Sequence, residues 1–130
     1  MILRTFGYTN VKDRFSQYLG YGLETYENVI TSREACKYLQ HLYLNRENNI
    51  YYEKILSFME NTIYHDRIDR YIDTVAVAHK IGDYGAVAND IGIVFTKEPY
   101  VITVYTDDIV SAYEKIAELS KIIYEYNTTG

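Results

Sequence analysis

Apolar positions follow a helical spacing in four stretches of the chain, and a strand spacing in three stretches gathered between residues 74 and 106. Val11, Phe15, Tyr18 and Leu19 share one helical face, and Gly20 follows as a stop. Gly20–Val29 is irregular. Thr31-Ser32-Arg33-Glu34 has the form of a capping box, with Thr31 as N-cap and Glu34 three residues on. The helix it opens places Ala35, Tyr38, Leu39, Leu42 and Tyr43 on an apolar face, with Cys36 on the same side as a small buried hydrophobe. Asn45–Asn49 is a polar break, and Asn48 or Asn49 caps a helix running through Met59 with Tyr51, Ile55, Phe58 and Met59 on one face. Tyr64–Asp73 is charged and without a clear period, a loop with room for one helical turn.

The period then changes. Thr74–Lys80 reads as a strand ended by Gly82, Asp83–Ala88 as a turn and Asp90–Thr96 as a second strand. Lys97–Pro99 is a short turn, and Tyr100–Thr106 a third strand. Connections this short make the three strands an antiparallel meander. Asp107 or Asp108 caps a long final helix with Ile109, Ala112, Tyr113, Ile116, Ala117, Ile123 and Tyr124 on one face. The predicted architecture is α+β: a single domain over residues 1–130, with a three-stranded antiparallel meander packed with helices and the C-terminal helix on the sheet.

Composition adds limits. The 130 residues suffice for one core, and 48% hydrophobic against 24% charged residues is a soluble, folded balance. A net charge of -5 without a basic stripe argues against a nucleic-acid partner. The 16 tyrosines are spread through every element, as amphipathic core-edge residues rather than a recognition patch. One cysteine, Cys36, excludes an internal disulfide and a cysteine-based metal site. His41 and His65 show no metal-ligand spacing with any acid, so neither a metal nor a cofactor is expected. The N-terminal MILRTFGYTN is too short and polar for a signal peptide, and no apolar run reaches the length of a membrane span. Taken with Met1 as its native start, the chain would be cytoplasmic.

Two features suggest an incomplete fold. Ile2–Gly7 resembles the tail of a helix, and YVITVYT (residues 100–106) has no charge or proline inside it to guard a sheet edge. Such a strand expects a neighbour on each side.

The stretch VAVAHKIGDYGAVANDIGIVF (residues 75–95) carries charge inside a strand-like run. Its HKIG, followed closely by NDIGIV, resembles the penicillin-recognising serine hydrolases, most closely the class A β-lactamases and their relatives. TFGYTNVKDRFSQYLG is similar to that family's Gly and the helix after its second active-site motif, and NVITSREACKYLQHLY to the Thr-started helix after the glutamate loop. NDIGIVF and YVITVYT resemble the next two strands. The resemblance covers essentially the whole chain and implies the C-terminal portion of a β-lactamase/transpeptidase-like fold. If so, the location of the protein would be extracytoplasmic, as part of a longer secreted hydrolase.

That family's chemistry has four parts: a Ser-x-x-Lys nucleophile, a Ser-Asp-Asn loop, a deacylating glutamate and a Lys-Thr-Gly strand that meets the substrate carboxylate. By resemblance, Lys80, Ile81 and Gly82 occupy the Lys-Thr-Gly box and bind substrate. Lys80 also fits a plain role as a lysine guarding a sheet edge. Ile81 departs from the pattern: without the hydroxyl, a charge-assisted hydrogen bond of about 1.5–3 kcal/mol is lost, roughly ten- to a hundred-fold in binding. None of Ser16, Ser32, Ser57, Ser111 and Ser120 is followed three residues later by lysine, and there is no Ser-Asp-Asn. Tyr8-Thr9-Asn10 has the spacing of a Tyr-x-Asn substitute, but its register favours Asn10 as an ordinary helix N-cap. Glu24 and Glu27 sit near the place of the glutamate in a segment short for a loop holding a catalytic water. His79, on the other side of the strand from Lys80, reads as a packed, hydrogen-bonded histidine.

Two readings follow. In the first, the chain is the C-terminal portion of a serine hydrolase of the β-lactam or D-Ala-D-Ala peptide class, lacking its nucleophile, catalytically inactive alone and completed by a missing N-terminal portion. In the second, it is a non-catalytic interaction module that forms a homodimer through strand Tyr100–Thr106.

Overall fold

The computed structural model describes residues 30–129. Their order is α1 (Ser32–Leu44), α2 (Tyr52–Glu60), β1 (Val77–Tyr84), β2 (Val87–Val94), β3 (Tyr100–Asp107) and α3 (Ala112–Thr128). The strands form an antiparallel sheet in the order β1-β2-β3, as the short connections require. The expected helix at Val11–Leu19 lies outside the described residues.

The capping box at the start of α1 is present. Thr31 N donates to Glu34 Oε2 at 2.9 Å and Glu34 N donates to Thr31 Oγ1 at 3.2 Å, satisfying two orphan donors of the first turn. Asn45 closes α1 in the left-handed region at φ 40°, and its side-chain oxygen accepts from Asn49 N at 2.7 Å. Asn49 Oδ1 in turn accepts from Tyr51 N at 3.0 Å, which leads the chain into α2. The N-cap of α2 is Tyr51, without a side-chain cap bond, so the expected asparagine acts two residues early.

The buried face of α2 is also rotated from expectation. Tyr52 is buried, with Ile55, Leu56 and Met59 packed beside it, whereas Tyr51 and Phe58 are exposed. Cys36 is only half-buried.

The sheet is covered on both faces. On one, Leu39 and Leu42 of α1 and Tyr52 of α2 meet Ile93, with Ile91, Phe95 and Val101 around them. On the other, Ile116 of α3 and Ile68 and Ile72 of the α2–β1 connection meet Val94 and Ile102. Ile93 and Val94 are successive residues on opposite faces, and both are 0% exposed. A central strand sandwiched between layers requires this, at about 1.5–3 kcal/mol of stabilisation per large apolar side chain fully buried.

Strand boundaries differ from those the sequence suggested. β1 begins three residues later than Thr74 and continues through Gly82 to Tyr84, and β2 begins at Val87 instead of Asp90. The turn is only Gly85-Ala86, with Gly85 at φ +58°, a conformation that glycine adopts without strain. Gly82 therefore does not break the strand; it pairs with Asn89. At the far end, Asp107 and Asp108 do not cap α3, whose N-cap is Ser111, and Ile109 precedes the helix and is exposed.

Candidate functional site

Lys80, Ile81 and Gly82 lie mid-strand in β1, paired with Ile91, Asp90 and Asn89, at a sheet edge among the described residues. Alternation puts Lys80 and Gly82 on the α1/α2 face and Ile81 on the other. Lys80 is exposed, and its Nζ donates to the Ile81 carbonyl at 2.6 Å. Among the described residues, a Cβ added at Gly82 would meet nothing within 4 Å. The edge thus presents an ammonium group beside an unobstructed stretch of backbone, suited to an anionic ligand lying along the strand. Ile81 supplies no hydroxyl to it. Glu24, Glu27, Tyr8 and Asn10 lie outside the described residues.

On the opposite face, the same strand carries a buried polar cluster. His79 is 1% exposed and sits between two carboxylates. Its Nδ1 lies 2.9 Å from Asp90 Oδ2 and 3.1 Å from Asp90 Oδ1, and its Nε2 lies 3.3 Å from Asp69 Oδ2. The Nε2 contact is close enough for an ion pair but poorly aligned for a hydrogen bond. Burial pulls the imidazole pKa down, but the two carboxylates outweigh it and push it up to about 9. Asp69 also contacts His65, and the two histidines hold its pKa below the usual value despite burial. Asp90 Oδ2 accepts from Ile68 N at 3.0 Å, tying the α2–β1 connection to β2.

A second clamp adjoins the first. Arg67, 1% exposed, donates from Nη1 and Nη2 to the two carboxylate oxygens of Asp83 at 2.8 and 2.6 Å, and from Nη1 to the Asn89 carbonyl at 2.9 Å. Its guanidinium lies 3.8 Å from the centre of the Tyr113 ring on α3. The Tyr113 hydroxyl donates to Asp83 at 3.2 Å. Arg67 holds the Asp83 carboxyl below its ordinary value, chiefly through the paired hydrogen bonds.

These contacts give the sequence pattern a physical content. In HKxG followed by NDxG, Asp90 anchors His79. Asn89 accepts from Thr106 N at 3.0 Å through its side chain and from Arg67 through its carbonyl. Gly92 lies opposite His79 in the ladder. The sequence marks His79 as a packed histidine but does not reveal Asp69, Asp90, Arg67 or Asp83 around it. No metal-ligand spacing is expected at His65 from the sequence, whereas the structure brings His65, Asp69 and His79 together, with ligand atoms within 4.8 Å of one another. The i to i+4 spacing of His65 and Asp69 was visible, but only the turn at residues 67–72 brings it onto β1.

The chain matches the beta-lactamase enzyme family over residues 1–127 and belongs to it. Among solved structures it is similar to the beta-lactamase from Sphaerobacter thermophilus DSM 20745, with 21% identity and TM-score 0.73, covering 81% of this chain and 43% of that one. It is also similar to PBP-A, with 19% identity and TM-score 0.71, covering 89% of this chain and 51% of that one. A mutant of PBP-A solved as an acyl-enzyme complex with penicillin G matches with 17% identity and TM-score 0.68, covering 89% of this chain and 51% of that one. The chain thus spans about half the length of these proteins. No curated protein matches it significantly. Among the described residues, no helix is long and apolar enough to cross a membrane.

Proposed function

We propose that the chain is the C-terminal portion of a β-lactamase-like serine hydrolase acting on β-lactams or D-Ala-D-Ala peptides through an acyl-serine intermediate. The supporting observation is Lys80, exposed on a strand that is a sheet edge among the described residues, two residues before a glycine with no described neighbour in the way of a ligand. In this reading Lys80 attracts the substrate carboxylate, and the backbone at Ile81 and Gly82 lies along the substrate. The absence of Ser-x-x-Lys from the sequence makes the chain inactive alone; the nucleophile comes from upstream or from another chain. Ile81 makes substrate binding weaker than a Thr or Ser would. The test is the coding sequence upstream of Met1: an in-frame Ser-x-x-Lys supports this reading, and an in-frame stop codon with no such motif on a neighbouring gene refutes it.

The second reading, a self-associating module without catalysis, is favoured by β3. Among the described residues it is the opposite edge of the sheet, and Tyr100–Thr106 carries no charged side chain. Pairing with its copy about a two-fold axis would satisfy that edge and give a homodimer. Light scattering at high concentration tests this: a dimer mass supports it, a monomer mass refutes it.

A further inference from the structure

His65, Asp69 and His79 come from two separate segments, the α2–β1 connection and β1, yet their ligand atoms converge within 4.8 Å. We propose that they form a binding site for a divalent first-row transition metal ion, Zn2+ foremost. The ligands are Nδ1 of His65, a carboxylate oxygen of Asp69 and Nε2 of His79, with a fourth position left to solvent.

Two of the ligands already stand at a suitable separation. With metal–ligand bonds of about 2.0–2.2 Å, neighbouring ligands of a tetrahedral Zn2+ lie about 3.3 Å apart. His79 Nε2 and Asp69 Oδ2 are 3.3 Å apart. The His79 side chain is 0% exposed, and among the described residues its Nε2 has no hydrogen-bond partner; Asp69 Oδ1 is likewise buried without one. Buried polar atoms left without a hydrogen bond are uncommon and call for a further partner. The other nitrogen, Nδ1, is held by Asp90 at 2.9 Å. A carboxylate behind the ring is the usual device for directing Nε2 toward a metal, and the incoming ion displaces to solvent the proton that the two carboxylates otherwise hold on the imidazole.

His65 completes the set from the solvent side. Its Nδ1 is bonded to Asp69 Oδ2, and because the side chain is 61% exposed the ring has room to leave that bond and the site has an entrance. The two imidazole centroids are 6.4 Å apart, wider than the roughly 5 Å expected for two rings on one tetrahedral ion, so His65 moves inward on binding. A dication placed here faces the carboxylates of Asp69 and Asp90, which balance its charge. Two imidazoles and one carboxylate are a donor set suited to Zn2+ and its neighbours rather than to Ca2+ or Mg2+. Binding would pin the α2–β1 connection to β1, on the face away from Lys80, whatever that lysine binds.

The test is isothermal titration of the chelator-treated chain with Zn2+, repeated with Co2+ followed by visible absorption. The expected result is one ion per chain, a Co2+ spectrum with the intensity of a four-coordinate site, and a rise in Tm on Zn2+ addition. His65→Ala and Asp69→Asn should each weaken binding by roughly ten- to a hundred-fold or more. His41→Ala, which removes the only other histidine, should leave it unchanged. His65 is exposed, so its variant is expected to fold; circular dichroism checks this, and His65→Gln provides a second variant. Absence of saturable binding, binding that survives both His65 variants, or binding lost in His41→Ala would overturn the proposal.

Discussion

Gly92 of β2 stands directly across the ladder from His79 of β1, and a Cβ at Gly92 would come within 2.9 Å of the His79 Cβ and 3.0 Å of the Ala78 carbonyl oxygen. Neither neighbour can yield: one is a buried side chain at its root and the other is backbone. Gly92→Ala should therefore destabilise the fold by about 1–3 kcal/mol, the usual cost of overpacking. Thermal or denaturant unfolding measures it, and a change within experimental error would show that the two strands can separate slightly at this point.

Asp90 should matter more. It supports the His79 ring and the Ile68 amide at once, and its side chain is 0% exposed. Asp90→Asn leaves a buried imidazole with one carboxylate in place of two. Breaking a buried pair by changing one partner costs about 3–5 kcal/mol, so a large drop in Cm without a change in slope is expected.

The Arg67–Asp83 clamp predicts an acid-sensitive contribution. Asp83 has a folded-state pKa below its ordinary 3.8, so its stabilising effect is fully present above that value and is lost as pH falls through the lower, folded-state pKa. Asp83→Asn should destabilise at neutral pH, and the gap between variant and wild type should narrow below about pH 4. A gap that stays constant down to pH 2 would show that the carboxylate charge contributes nothing.

Lys80 is the contrast. It is exposed and bonds only to the carbonyl of the next residue among the hydrogen bonds described. Lys80→Ala should change stability by no more than about 0.5 kcal/mol. Stability loss comparable with Asp90→Asn would assign the lysine to the fold and remove its claim on a ligand.

The fold was largely legible because its signals are local. Thr31 and Glu34 announce α1 three residues apart, and Tyr100–Thr106 is β-branched or aromatic at every position, so those boundaries hold closely. Gly82 misled because glycine is read as a breaker, whereas in β1 it is a paired strand residue and Gly85 makes the turn. Tyr52 and Tyr51 were exchanged because a nine-residue helix gives the apolar face little chance to fix its phase. The edge lysine was visible from a short motif. The buried cluster was not, since Asp69, Arg67 and Ile68 come from a segment with no period, and their roles are set mostly by partners at least 10 residues away in sequence. Charge in such a segment reads as solvated loop until the tertiary contacts are known.

The most direct measurement is incubation of the purified chain with a fluorescent penicillin, followed by denaturing electrophoresis and intact mass. A β-lactamase-like portion whose sequence carries no Ser-x-x-Lys should show no covalent label and no hydrolysis above background. A stoichiometric adduct on any of its serines would contradict that reading.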